Sequence, residues 1–166
     1  MSEGTPIDLG TIGMGIPIIY RDVVSKILSY HIAIESALEM YIEKNNISSE
    51  KQFFARLRSV EENSGNNDWS IEACKKLNKI RNSCVHIDSK EYKNLQKRID
   101  IPTQEFINFV SKYNVRHSAH KMSNFDWACT LTYQRIYEIL NLEYDDLILG
   151  EFARLPNSLA RNFQPI

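Results

Sequence analysis

The sequence predicts an all-α protein, an up-down bundle of four to five helices with an irregular N-terminal arm and a C-terminal tail. Apolar residues recur every three to four positions through most of the chain, which is the period of a helix that buries one face. No segment shows the sustained alternation of polar and apolar residues that is typical of a half-buried strand. With 166 residues, 43% of them hydrophobic and 25% charged, the chain has the size and composition of one globular domain.

The N-terminal half predicts an arm followed by two helices. Residues 1–19 hold four of the six glycines and two of the five prolines, so we expect them to be irregular. The first helix is predicted from residue 21 to residue 45, and a second is expected to begin after Ser48 or Ser49, because Ser49 and Gln52 have the spacing of a capping box. The apolar faces of these helices comprise Val23, Val24, Ile27, Ile34, Leu38, Tyr41 and Ile42 in the first, and Phe53, Phe54, Leu57 and Val60 in the second.

Three further helices are predicted before the periodicity fades. The third begins near Asp68 or Ser70, and a linker containing Pro102 separates it from a short fourth helix over residues 103–112. The fifth spans residues 123–140, with Ser123 as its cap. Their apolar residues are Ala73, Leu77, Ile80 and Cys84 in the third, Phe106, Ile107 and Val110 in the fourth, and Trp127, Leu131, Ile136, Tyr137 and Leu140 in the fifth. Residues 20–140 are therefore the expected helical domain, and residues 141–166 the tail.

Charge and cysteine content limit the classes of function. A formal net charge of -1 argues against a protein that binds nucleic acid by bulk charge, so any RNA contact must come from a local patch. No apolar run approaches the length of a membrane span, and we expect a cytoplasmic protein whose three cysteines are reduced and buried. His117, His120 and Cys129 lack the paired spacing of a zinc site, so neither a metal nor another cofactor is expected.

The run Arg81-Asn82-Ser83-Cys84-Val85-His86 at the end of the third helix carries the strongest chemical signal. Arginine binds phosphate through a rigid, always charged fork, and histidine transfers protons near neutral pH. This composition gives about 0.02 chance matches to Arg-Asn-x-x-x-His. Helical spacing places Asn82 and His86 on one face together with three further polar residues that we expect to bind phosphate or RNA. These are Lys75, Asn78 and Lys79.

Helix geometry separates the two residues best suited to catalysis. Arg81 and His86 point about 140° apart on an ideal helix. Either the helix deforms before His86, or the two side chains converge through their length, or a second copy of the chain completes the site at a two-fold interface, which is the arrangement we expect. In a purely structural alternative, Arg81 forms an ion pair with Glu72 or an acidic residue of a neighbouring helix, and His86 ends its helix.

The string IRNSCVH, at the end of a helix that follows two others, resembles the signature of the HEPN superfamily, whose ribonuclease members carry Arg-Asn-x-x-x-His. The order of the segments ESALEMYIEKN, KQFFARLRSV and KKLNKIRNSCVH is similar to that superfamily over residues 20–140. The layout also resembles the mannitol-operon repressor type of HEPN protein.

The resemblance implies a homodimeric, metal-independent endoribonuclease, a toxin or phage-defence effector that leaves a 2′,3′-cyclic phosphate. Arg81 and His86 would then be catalytic and Asn82 supporting, with an antitoxin or regulatory protein as a further partner. The alternative is a non-catalytic regulator or adaptor with the HEPN fold that binds protein or nucleotide. His31, four residues before Glu35 on the first helix, is predicted either to be half-buried with a hydrogen bond to Glu35 or to a neighbouring helix, or to assist the RNA site together with Glu35.

Overall fold

The computed structural model describes residues 21–65, 67–85, 94–114 and 123–143, and within them the chain is all-α. Five helices follow one another, and these residues contain no strand. The helices are α1 (Arg21–Lys44), α2 (Phe53–Ser64), α3 (Trp69–Val85), α4 (Leu95–Ser111) and α5 (Asn124–Ile139). The predicted fold class is confirmed, whereas the predicted arm and all of the predicted tail beyond residue 143 lie outside the described residues.

Helix α3 is the centre of the bundle, because it packs against each of the other four helices. Its inward face is as predicted, with Leu77 and Ile80 fully buried. The largest side chains around it come from α5, where Trp127, Tyr133 and Tyr137 are at most 1% exposed. Arg81 and Asn82 therefore lie on the helix that contacts every other described helix.

The helix ends follow local rules, and several match the predicted boundaries. Ser123 caps α5, since its hydroxyl accepts a hydrogen bond from the backbone N–H of Asp126 at 3.1 Å. Gly65 closes α2 in the left-handed conformation, with φ 64°. Asn46 and Asn141 adopt the same left-handed conformation after α1 and α5. Each is followed by a backbone bond that reaches five residues back, from Ile47 to Ile42 and from Leu142 to Tyr137.

Two predicted helix starts are wrong. Helix α2 begins at Phe53, and Gln52 caps it without a side-chain hydrogen bond, so the predicted capping box does not form. Helix α4 begins at Leu95, eight residues before the predicted start, and continues through Pro102. Proline cannot donate the helical hydrogen bond and costs about 3 kcal/mol inside a helix. The apolar stripe nevertheless continues through it, because Leu95, Ile99, Pro102, Phe106 and Val110 are all buried.

Two residues assigned to apolar faces are instead exposed. Val23 is 39% exposed and Phe54 is 51% exposed. Each neighbours a buried residue of the same helix, Val24 and Phe53, and lies about 100° from it around the helix axis, on the side that faces solvent here. Among the described helices none is long and apolar enough to cross a membrane.

Candidate functional site

The N-terminus of α3 is fixed by Asp68, whose side chain binds both its own helix and α5. One carboxylate oxygen accepts hydrogen bonds from the backbone N–H of Ser70 at 3.1 Å and from its hydroxyl at 2.7 Å. The other accepts two from the guanidinium of Arg135, at 3.0 and 2.7 Å. Burial raises the pKa of Asp68, but the bonds from Arg135 and Ser70 outweigh it and hold that pKa below its usual value. This anchor positions the helix that carries the motif.

Arg81 lies near the other end of α3 and is partly buried. Its Nη1 donates a hydrogen bond to Asn82 Oδ1 at 3.0 Å. Its Nε is buried and has no hydrogen-bond partner among the described residues, and no described carboxylate forms an ion pair with Arg81. Glu72 pairs with Lys75 instead, so the structural alternative in which Arg81 bridges Glu72 is wrong. Among the described residues no acid binds this guanidinium, and its hydrogen bond goes to the neutral amide of Asn82.

An open groove of about 560 Å³ is lined by all three predicted phosphate-binding residues and by Asn82, the hydrogen-bond partner of Arg81. Its lining consists of Phe54, Glu72, Lys75, Lys76, Asn78, Lys79, Asn82, Ser83 and Arg98. Four of the side chains are cationic and one is anionic, so the lining carries a net charge of +3 by formal count. Asn82 belongs to this wall, and its hydrogen bond to Arg81 ties the guanidinium to the groove.

The groove lysines are held by weak surface interactions. Lys75 lies 3.7 Å from Glu61 and 3.6 Å from Glu72, and Lys79 lies 3.1 Å from Glu105. These side chains are between 34% and 63% exposed, and such exposed pairs contribute between about 0 and 1 kcal/mol. An incoming phosphate can therefore take over the lysines at little energetic cost.

Asn78 is not on the open polar face where the sequence placed it. It is 3% exposed, and its Oδ1 lies 2.8 Å from Nε2 of His31 on α1. An asparagine at this depth needs such a partner, because an unpaired buried amide is destabilising by about 1–3 kcal/mol. Asn78 therefore underlies the groove and joins α3 to α1, and direct binding of phosphate by Asn78 is not supported.

His31 is buried, in agreement with the structural reading of that residue, and is only 4% exposed. Burial lowers its pKa, and the charge of Arg81 acts in the same direction, while the hydrogen bond to Asn78 and the charge of Glu35 oppose it. The ring is therefore neutral at pH 7. Its Nδ1 lies 3.9 Å from a Glu35 oxygen, but Glu35 also binds Arg56 of α2 at 3.3 Å.

Several predicted residues lie outside the part of the chain that the structure describes. His86 is one of them, so its distance from Arg81 is not part of the described geometry, and the same holds for His117 and His120. All three cysteines are free and buried, as predicted. Among the described residues, no group of three His, Cys, Asp or Glu side chains is placed to hold a metal ion.

Sequence reasoning missed three contributors to the groove. Lys76 stands 5.2 Å above the ring of Phe109, and Arg98 lies on the part of α4 that the sequence predicts to be a linker. The sequence predicts Phe54 to face the core, but it is 51% exposed. No local signal in the sequence separates Phe54 from Phe53, because two consecutive helical residues can both be buried, as Ala33 and Ile34 are.

Comparison of the chain with models of protein families, with curated proteins and with solved structures gave no match.

Proposed function

We propose that this protein is a metal-independent endoribonuclease of the HEPN type that acts as a cytoplasmic homodimer, in the role of a toxin or defence effector. Arg81 and His86 are the catalytic residues of this proposal, and Asn82 supports Arg81. The observation that carries it is the state of Arg81. An arginine that is partly buried, unpaired with any described acid and joined to the wall of a basic groove is prepared for an anionic ligand.

The proposed reaction is transesterification within the RNA strand. The 2′-oxygen attacks the adjacent phosphorus, its proton passes to His86, and the bond to the 5′-oxygen of the next nucleotide breaks. That leaving oxygen takes up a proton from water while His86 returns its own to the solvent, so the products are a 2′,3′-cyclic phosphate and a 5′-hydroxyl end. Arg81 stabilises the charge that develops on the nonbridging phosphate oxygens. DNA lacks the 2′-hydroxyl and is not a substrate.

The site is proposed to lie between two copies of the chain. Helix α3 is regular through Val85, with the side chains of Ser83 and Cys84 bonded to carbonyls four residues back. No distortion within these residues turns Arg81 towards position 86. In the proposed two-fold arrangement Arg81 of one copy meets His86 of the other, which avoids the separation of about 140° expected on an ideal helix.

Product analysis tests the reaction. We expect the purified protein to cut total RNA in the presence of EDTA and to leave 2′,3′-cyclic phosphate and 5′-hydroxyl ends. A chimeric oligonucleotide with one 2′-deoxyribose at the cleaved position should resist at that position only. Products with a 5′-phosphate would contradict the mechanism. If RNA binds at the groove but no pool is cut, the non-catalytic regulator with the same fold is the better description.

Subunit mixing tests the shared site. Arg81→Met and His86→Ala homodimers should each be inactive. After the two are mixed and allowed to exchange subunits, the heterodimer keeps one intact Arg81 and one intact His86 on opposite chains, so cleavage should reappear. If both residues act within one chain, every chain in the mixture carries a defect, and activity will not return.

A further inference from the structure

Phe54 is an exposed aromatic ring on the wall of the basic groove. It is 51% exposed, although phenylalanine normally buries its ring. Among the nine described lining residues it is the only apolar one, and the others are charged or polar. Phe54 is therefore the single aromatic ring among the described residues of this groove.

The ring is supported from below. Phe54 packs edge-on against Phe53, with ring centroids 6.3 Å apart and planes at 79°. Phe53 is 8% exposed and lies against the ring of His31 at 4.4 Å. His31 in turn is bonded to Asn78 beneath the groove. This buried chain of contacts holds the base of Phe54 while leaving about half of its surface open.

We infer that Phe54 is a stacking platform for one nucleobase of a single-stranded RNA that lies along the groove. The inference rests on the proposed function for the identity of the ligand. Every nucleobase has a flat π-surface that stacks on an aromatic side chain, and neighbouring cations hold the phosphates on either side. Lys75, Lys76 and Lys79 supply those cations. Bases in a duplex are already stacked, so the platform selects unpaired strands.

The composition of the groove favours a nucleotide over a protein segment as occupant. Its volume of about 560 Å³ falls within the range of about 300–1,000 Å³ that is usual for sites of small ligands. The core of a protein contact is depleted of charge, whereas five of the nine described lining residues here are charged and four of those are cationic. A single aromatic ring among cations is instead the pattern of single-strand binding.

The test measures binding without cleavage. A labelled 2′-O-methyl hexanucleotide has no free 2′-hydroxyl and therefore cannot be cut by the proposed reaction, and a second probe has the same backbone with abasic sugars. We would measure the affinity of both probes for the wild type, Phe54→Leu and Phe54→Trp. The matched control is Ile101→Ala, which changes an apolar residue that is 59% exposed and does not line the groove.

Stacking predicts a loss that depends on the base. Phe54→Leu should weaken binding of the base-bearing probe by about 5- to 100-fold and leave the abasic probe unaffected. Phe54→Trp should retain binding, and its additional fluorescence over the wild type should be quenched by the base-bearing probe. Ile101→Ala should behave as the wild type does.

Three results would overturn the inference. They are absence of binding by the wild type, equal binding of the base-bearing probe by Phe54→Leu and the wild type, and an equal loss on both probes. If Phe54→Leu loses affinity equally for both probes and its assembly in solution also has a lower molecular mass than that of the wild type, the ring belongs to a protein contact. Base-dependent binding without cleavage of ordinary RNA would refute the proposed ribonuclease activity and support Phe54 as a stacking platform. Normal cleavage of RNA with no effect of Phe54→Leu on binding would support the ribonuclease and refute the platform.

Discussion

Removal of the Asp68 side chain should destabilise the protein more than any nearby change to an exposed ion pair. Asp68→Ala removes the cap of α3, worth about 1 kcal/mol, and both hydrogen bonds to Arg135. Hydrogen bonds to charged groups contribute about 1.5–3 kcal/mol, but Arg135 is 30% exposed, so water replaces part of what is lost. We expect a total loss of about 2–3 kcal/mol.

Urea unfolding, followed by circular dichroism, gives this difference as a shift of the midpoint at constant slope. The matched control is Glu138→Gln, which removes the charge of the other partner of Arg135. Because Glu138 is 70% exposed, its loss should change the stability by less than about 0.5 kcal/mol. Equal effects of the two substitutions would refute the assignment of Asp68 as the anchor.

The pH dependence gives a second check on Asp68. The pKa of this carboxyl is lowered in the folded state, so its contribution is fully present above the pKa of about 3.9 of an exposed aspartate. It disappears as the pH falls through the lower folded value. The difference between wild type and Asp68→Ala should therefore shrink below about pH 4. A difference that stays constant to pH 2 would contradict the proposed charge pairing.

Three other predictions follow from burial and backbone geometry. Burial lowers the pKa of His31, so below about pH 6.5 the unfolded chain binds more protons than the folded one. The stability of the wild type relative to His31→Gln should therefore fall as the pH decreases, by at most about 1.4 kcal/mol per pH unit. Parallel pH profiles for the two proteins would refute this. Burial also raises the pKa of the thiols of Cys74 and Cys129, and it raises the pKa of the Cys84 thiol to about 11 although the charge of Arg81 opposes this. A thiol reagent at pH 8 should therefore label none of the three cysteines in the native protein and all three in denaturant. Gly65→Ala should lower the free energy of unfolding by about 1 kcal/mol in the same urea assay, because an alanine is strained at a φ of 64°. No atom lies within 4 Å of an added Cβ, so a steric clash does not add to this loss. An unchanged midpoint would contradict the left-handed conformation.

Local signals in the sequence were sufficient for most of the fold. The cap of α5 at Ser123 and that of α3 at Asp68 depend on residues two or three positions away, so they can be identified without tertiary information. Pro102 misled the prediction of α4 because a proline usually marks a boundary. Here burial of Leu95 and Ile99 against the bundle outweighs the lost hydrogen bond, and that packing depends on other helices.

The candidate site was less accessible to sequence reasoning, because its details depend on contacts between helices. Asn78 shares a helix side with Lys75 and Lys79, yet it lies where α1 covers α3 and meets His31 across 47 residues. Phe54 and Phe53 have the same chemical character, and only the packing on His31 decides which of them is buried. The helical period was sufficient to predict that lysines of α3 share one face. The position of the Phe54 ring on the basic groove could not be predicted in the same way, because it depends on how α2 packs against α3.

The proposal depends most on Arg81, and the most direct measurement compares two arginine substitutions in an RNA-cleavage assay with EDTA. Arg81→Met keeps the aliphatic stem and removes the charge, while Arg58→Met makes the same change at an exposed position of α2 outside the groove. With equal thermal stability of both variants, we expect Arg58→Met to cut RNA as the wild type does and Arg81→Met to lose cleavage by at least about 100-fold. Equal cleavage by the two variants would contradict the catalytic role of Arg81.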